Sequence, residues 1–232
     1  MNLPKRYAKS LRSDLRVRAV WPPMQAIEPG DYGEYEGGIF TRRGNITEDF
    51  GVPYTLEPGG HRVEKFQYHS EHGRSGGLTV SGGSAGIEVS LASTHSFFLS
   101  VSSCELVHLQ RKRAVAELLR EAPGWRFLKY HVVWELLRGR DLVFFGSEQG
   151  GGGVEVRGSA PDVGAFAAAG EVGASLQFAT RGAVGLQFRG APGEPASFAV
   201  NVFRVRRAGD LVALSFGLGD PGTDDDDIDA EL

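Results

Sequence analysis

The sequence predicts an α+β fold dominated by short β-strands, and three observations predict it. Glycine makes up 33 of the 232 residues, about twice its usual share, with no collagen-like period. Valine, leucine and phenylalanine alternate with small polar residues over long stretches, the pattern of half-buried strands. Apolar residues at helical spacing occur in two short stretches, residues 4–15 and 110–121. A hydrophobic content of 41% against 23% charged residues excludes general disorder.

Taken in order, Tyr7, Leu11 and Leu15 follow Pro4 at intervals of four, which predicts a short amphipathic helix with lysine and arginine on its wet face. Val17, Ala19 and Trp21 alternate as a strand that Pro22 and Pro23 must stop. Glycine or proline every few residues makes 28–60 a region of hairpins and loops. Residues 76–104 read as a pair of long strands, through Leu78 and Val80, Ile87, Val89 and Leu91, then Phe97, Leu99 and Val101. Glu88 is the only formal charge among them. Residues 105–109 extend the second strand, and QRKRAVAELLRE (110–121) forms a helix with Val115, Leu118 and Leu119 inward, ended by Pro123 and Gly124. Strands 130–138 and 141–149 follow, joined tightly at Gly139 and Arg140, before glycines 150–153 interrupt the ladder ahead of 154–157. A second low-charge stretch, 158–188, reads as a β-hairpin in which Val172, Ala174, Leu176 and Phe178 precede Arg181 and Gly182 and Val184, Leu186 and Phe188 follow. Returning strands are expected at 198–206 and 211–216. Residues 1–216 are thus expected to form one domain, and 217–232 an acidic, disordered tail.

Charge is distributed unevenly. In residues 1–20, Lys5, Arg6, Lys9, Arg12, Arg16 and Arg18 stand against Asp14 alone, a balance of +5. Residues 217–232 hold Asp220, Asp224, Asp225, Asp226, Asp227, Asp229 and Glu231, a balance of −7. The basic head can meet phosphate-bearing partners or the chain's own tail. Asp224, Asp225, Asp226 and Asp227 are the candidate regulatory contact with the head.

Other chemistry finds little support. Cys104 is the single cysteine, so neither an internal disulfide nor a thiolate metal site can form. His61, His69 and His72 are the densest histidine group, but on a strand His69 and His72 point to opposite faces and converge on a metal only through a turn. There is no glycine-flanked nucleophile between a strand and a helix, and glycines 150–153 lack the lysine and helix of a phosphate loop. No catalytic, cofactor-binding or metal-ligating residue is assigned, no cofactor is expected, and the chain is read as not an enzyme. Nucleic acid is not an expected partner, because the body is slightly acidic and has no aromatic pair on a basic strand. No uncharged apolar run reaches the roughly eighteen residues of a helical span. The N-terminus MNLPKRYAKS has no hydrophobic signal core, so the chain is expected to be cytoplasmic. The two low-charge alternating stretches, by contrast, are long enough and poor enough in charge for strands that cross a bilayer, about nine to eleven residues each, while the same spacing equally describes, and by itself favours, half-buried strands of a soluble sheet.

In element order and in four local stretches the chain resembles the pore-forming N-terminal domain of the gasdermin family. SGGSAGIEVSLAS after Val80 is similar to the stretch ahead of that family's first inserting hairpin. YHVVWELLRGRDLVFFGSE is similar to its YVVxEVLxxxxxVxV segment, ASFAVNVFRVRRAG to the strand that ends its second hairpin region, and GGIFTRRGNI to its loop with an aromatic beside basic residues. The resemblance covers about residues 3–210 and implies a twisted, mainly antiparallel β-sheet with peripheral helices. It further implies binding to acidic membrane lipids through Lys5, Arg6, Lys9 and Arg12, with Phe40, Arg42 and Arg43 as a membrane-touching tip. It implies homo-oligomeric rings and two inserted hairpins per protomer, from about 76–104 and 158–188. The expectation is an autoinhibited protein that moves to the inner face of the membrane after activation, with a protease as a possible trigger, in cell death or antiviral defence. The alternative is a soluble, non-enzymatic adaptor that uses the same scaffold to bind a protein partner.

Overall fold

The computed structural model describes residues 2–70, 79–80, 86–125, 129–190, 194–205 and 211–214. It opens with helix α1 (Leu3–Leu15), where the Asn2 side chain accepts from the Lys5 amide at 3.1 Å, Pro4 sits in the first turn, and Arg16 closes the end in the left-handed region. Leu3, Tyr7, Ala8 and Leu11 bury one face of the helix completely. Strand β1 (Arg18–Val20) follows, then the hairpin β2 (Asp31–Glu36) and β3 (Ile39–Asn45). Gly37 and Gly38, both at positive φ, make the two-residue turn whose twist suits an antiparallel pair. Helix α2 (Ile46–Phe50) was not expected from sequence; one turn long, it is set by Asn45 accepting from the Thr47 amide and by Gly51 at φ 66°.

Three long strands form the spine: β4 (Leu56–His69), β7 (Ser96–Leu109) and β8 (His131–Ser147). Between β4 and β7 come β5 (Thr79–Val80) and β6 (Gly86–Leu91), and between β7 and β8 lies helix α3 (Lys112–Glu121). The chain continues through β9 (Gly152–Arg157), helix α4 (Ala160–Ala169), β10 (Gln177–Arg181), β11 (Val184–Arg189), β12 (Ala196–Val205) and β13 (Leu211–Leu214). The outcome is α+β, with a mixed, mostly antiparallel sheet and few helices.

In the larger sheet β8 is central. One edge of β8 pairs with β12 and then β11, and the other with β2 and then β7. Since β12 also pairs with β1, β1 with β3, and β3 with β2, these five strands close a circuit of pairing. Val20, Ile27, Phe40, Val133, Leu136, Val200 and Val202 cluster as its apolar core. The smaller sheet runs β10-β9-β6-β5. Along β7 and β8, side chains alternate between two cores. Phe97, Leu99, Leu142 and Phe144 join the cluster that includes α1, while Phe98, Val143 and Phe145 join that of β6, β9 and α4.

Four sequence expectations change. Leu118, expected inward on α3, is 48% exposed, and Ala116 joins Val115 and Leu119 on the buried side. The expected strands 130–138 and 141–149 are one bent strand, β8 (His131–Ser147), rather than two joined by a turn. Asp141 adopts φ 51° and the pairing with β7 slips near Ser102, so the chain kinks without reversing. Gly139 is needed there, because a Cβ would strike the Val101 side chain and the Ser102 carbonyl. Within 76–104, β6 and β7 do not pair with each other: β6 belongs to the small sheet and β7 to the large one. Within 158–188, the first part is helix α4, because Ser159 caps it, Pro161 lies in its first turn, alanines fill its second half and Gly170 ends it at φ 72°. Nor do β10 and β11 form a hairpin, since β10 pairs with β9 and β11 with β8. Alternation identifies a strand and its faces but not its partner.

Candidate functional site

The basic face of α1 is presented by burying the opposite one. Tyr7 lies edge-on to Phe97 and Phe144, with ring centroids 5.3 and 5.6 Å away, and its hydroxyl donates to the Phe198 carbonyl at 3.0 Å. With the apolar face fixed in this way, Lys5, Lys9 and Arg12 point outward, and Arg6, half-buried, donates to the Ser70 carbonyl at 3.4 Å. Near the far end of the helix, Asp14 accepts from the Tyr68 hydroxyl at 2.6 Å. Burial and that carboxylate push the Tyr68 phenol up to about 12.

The expected tip at residues 40–43 divides. Phe40 is fully buried in the circuit of five strands, so it is not an exposed aromatic in this conformation. The period of two that turns Thr41 outward turns Phe40 inward. Arg42 and Arg43 are exposed but paired. Arg42 Nε donates to buried Asp31 at 2.7 Å, and the same carboxylate accepts from Asn45 and from the Glu28 amide, both at 3.0 Å. Arg43 is held by both oxygens of Glu34 at 3.0 Å, on the open surface.

The two charge-poor stretches come together. β6 and α4 cover the same face of β7 and β8, where Ile87, Val89, Leu91, Val163, Phe166 and Leu176 pack on Phe98, Val143 and Phe145. Phe166 lies 5.8 Å from the Phe178 ring and 6.5 Å from Phe98. The helix α4 has no polar face. Among the described side chains Ala160, Pro161, Gly164 and Ala168 are exposed, and Asp162 is the helix's single charge. That charge is enclosed locally. The Asp162 carboxylate accepts from the Ser175 hydroxyl and amide, which hold it below the usual carboxylate range. Glu155 likewise takes Arg157 and Arg181, each at 2.6 Å, on the outer side of β9 and β10.

Sequence reasoning missed the residues that fasten this layer. From β4, Gln67 donates to the Phe166 carbonyl at 3.1 Å, and His69 Nε2 lies 2.6 Å from the Ser90 carbonyl. The signal was present in the alternation of Phe66, Gln67, Tyr68 and His69. His69 therefore serves in a contact between the sheets. His72 and the side chain of His61 lie outside the described residues, as do Asp224, Asp225, Asp226 and Asp227. Among the described residues no group of three or more His, Cys, Asp or Glu could hold a metal ion, and no helix is long and apolar enough to cross a membrane.

No family model and no curated protein matches the chain. Among solved structures it is similar to a bacterial gasdermin from Bradyrhizobium tropiciagri, with 17% identity and a TM-score of 0.44 over 91% of each chain. It is also similar to Gasdermin A3 in its membrane pore, with 9% identity and a TM-score of 0.27 over 96% of this chain and 97% of that one.

Proposed function

We propose that this chain is a gasdermin-like pore former, autoinhibited in the cytoplasm until activation lets it insert β-hairpins into acidic membranes. One observation carries the reading: a surface helix without a polar face lies beside strands nearly free of charge, and both cover a single sheet face. A helix apolar all round ordinarily belongs in a core or a bilayer. As a helix, the ten residues of α4 span about 15 Å. Extended, they reach about 33 Å, enough for a 30 Å hydrocarbon layer.

Lys5, Arg6, Lys9 and Arg12 supply the first contact, at about 1 kcal/mol per cation near an anionic surface. Arg43 adds to it by exchanging Glu34 for a lipid phosphate. Two hairpins from one chain leave open edges that a bilayer does not tolerate, so insertion requires many copies closing a ring. In the resting state the tail residues Asp224, Asp225, Asp226 and Asp227 lie against the basic head, and displacement or proteolysis removes them. A role in cell death or defence follows from such an activity, with no catalytic step.

The test is dye release from anionic liposomes by the full chain and by a chain lacking residues 217–232, at low and high salt. Release by the shortened chain, suppressed in the full chain and weakened by salt, is expected. No release from either chain refutes the pore reading, and equal release from both refutes the role of the tail.

A further inference from the structure

Among the described residues, strand β4 ends the larger sheet, paired with β7. Its last residues face two ways. On one face Phe66 stacks on Phe198 at 5.6 Å, Tyr68 stacks on Phe97 at 5.4 Å, and the Tyr68 hydroxyl holds Asp14 of α1. The carbonyl of Ser70, the next residue after the strand, holds Arg6 of the same helix. On the other face Gln67 donates to the Phe166 carbonyl in the last turn of α4, which also accepts from the Gly170 amide at 2.9 Å, and to Ser100 Oγ at 3.2 Å. His69 reaches the Ser90 carbonyl of β6. Both charge-poor elements and the basic helix are therefore fastened by consecutive residues of one edge strand, and neither fastening crosses a second element.

We propose that residues 66–70 couple the two events of the pore reading, on which this inference rests: displacement of α1 at a lipid surface shifts the end of β4 and thereby releases β6 and α4. Ser70 is where the coupling is anchored in the resting state: its amide donates to the Phe97 carbonyl at 3.0 Å and its hydroxyl accepts from the Phe97 amide at 2.8 Å. Coupling of this kind is reciprocal, so loosening the Gln67 side must also loosen α1.

The experiment is hydrogen exchange on the full chain without lipid. Tyr68→Phe keeps the ring stacking and removes the bond to Asp14. Amides of β6 and α4 are expected to exchange about tenfold faster, while β12 is unchanged, because a hydrogen bond to a carboxylate is worth at least that factor. Asp14→Ala, at an exposed position, should reproduce the effect, and Gln67→Leu should accelerate exchange in α1. Acceleration confined to α1 and β4, or a uniform rise that includes β12, overturns the proposal. Because no membrane is involved, this failure is distinct from a failure of the liposome assay, which would remove the pore reading and leave the coupling in place.

Discussion

Lysine at position 165 separates a segment that enters lipid from one that does not. In helix α4, Ala165 is half-buried and Ala168 is exposed, and both sites accept a long side chain that reaches water. Lysine is a good helix former, so each substitution should change the stability of the folded protein by less than about 0.5 kcal/mol. If 160–169 becomes a strand, positions 165 and 168 fall on opposite faces. The odd series, Val163, Ala165 and Ala167, is uncharged, whereas the even series holds both Asp162 and Phe166; placing the charge in the lumen turns 165 toward lipid and 168 toward the lumen. A lysine on the lipid face near the midplane costs about 2–4 kcal/mol, and on the lumen side close to nothing. At 1.4 kcal/mol per tenfold, insertion of each protomer falls by a factor of about 30 to 700, repeated around the ring. In dye release from anionic liposomes, with residues 217–232 removed, Ala165→Lys should abolish leakage and Ala168→Lys should leave it within a few-fold, at unchanged thermal midpoints. Equal leakage from the two lysine variants would refute the idea that this segment crosses the bilayer as a strand.

Further outcomes follow from single contacts. Phe166→Ala removes a fully buried ring between Phe98 and Phe178 and should cost about 3–5 kcal/mol in urea titration, while speeding dye release because α4 is less well docked. Arg43→Ala, which breaks an exposed pair, should leave the urea midpoint unchanged and weaken binding to anionic vesicles. Asp31→Ala removes a buried carboxylate that holds Arg42, Asn45 and the Glu28 amide, and should lower stability by about 3 kcal/mol or more. Burial, then Arg204 and Arg18, push the His131 imidazole down to about 4 from its ordinary 6.5. Between those values the unfolded chain takes up a proton that the native one refuses, so stability should fall as pH drops through that window, by up to about 3 kcal/mol. In urea titrations at pH 7.5 and pH 5, His131→Phe should show less of that loss than the parent chain.

What the sequence made legible was local. Pro4 and the spacing of Tyr7 and Leu11 placed α1, and the alternation from Phe97 to Val101 placed β7 and its two faces. Pairing partners were not legible, since the same alternation fits any neighbouring strand. Thus 76–104 and 172–188 looked like hairpins although each is divided between sheets. The helix α4 was obscured because alanine and glycine around Phe166 carry no apolar period, and its start is written only in Ser159 and Pro161. Phe40 was expected at an exposed tip through the likeness of GGIFTRRGNI to a gasdermin loop, whereas its burial depends on a closed pairing circuit made with β12, more than 150 residues away. The basic face of α1 could be read directly, because a helix with one apolar stripe leaves only one place for its cations.

The layer of β6 and α4 explains why the resting protein should not open in water. Releasing it would expose Phe98, Val143 and Phe145 on the sheet face, buried to 3%, 0% and 1% exposure. Each such side chain contributes about 1.5–3 kcal/mol, so these three alone hold the layer by roughly 5–9 kcal/mol, before the fasteners Gln67 and His69 are added. That is comparable with the whole stability of an ordinary domain. Unassisted release would therefore be close to unfolding. A surface that accepts the apolar face as fast as it is exposed removes most of that penalty, and both a bilayer and an adjoining copy of the chain meet this condition. On the proposed reading such a surface must accordingly be in place before α4 departs, and the order of the two events is set by the energy of one buried sheet face.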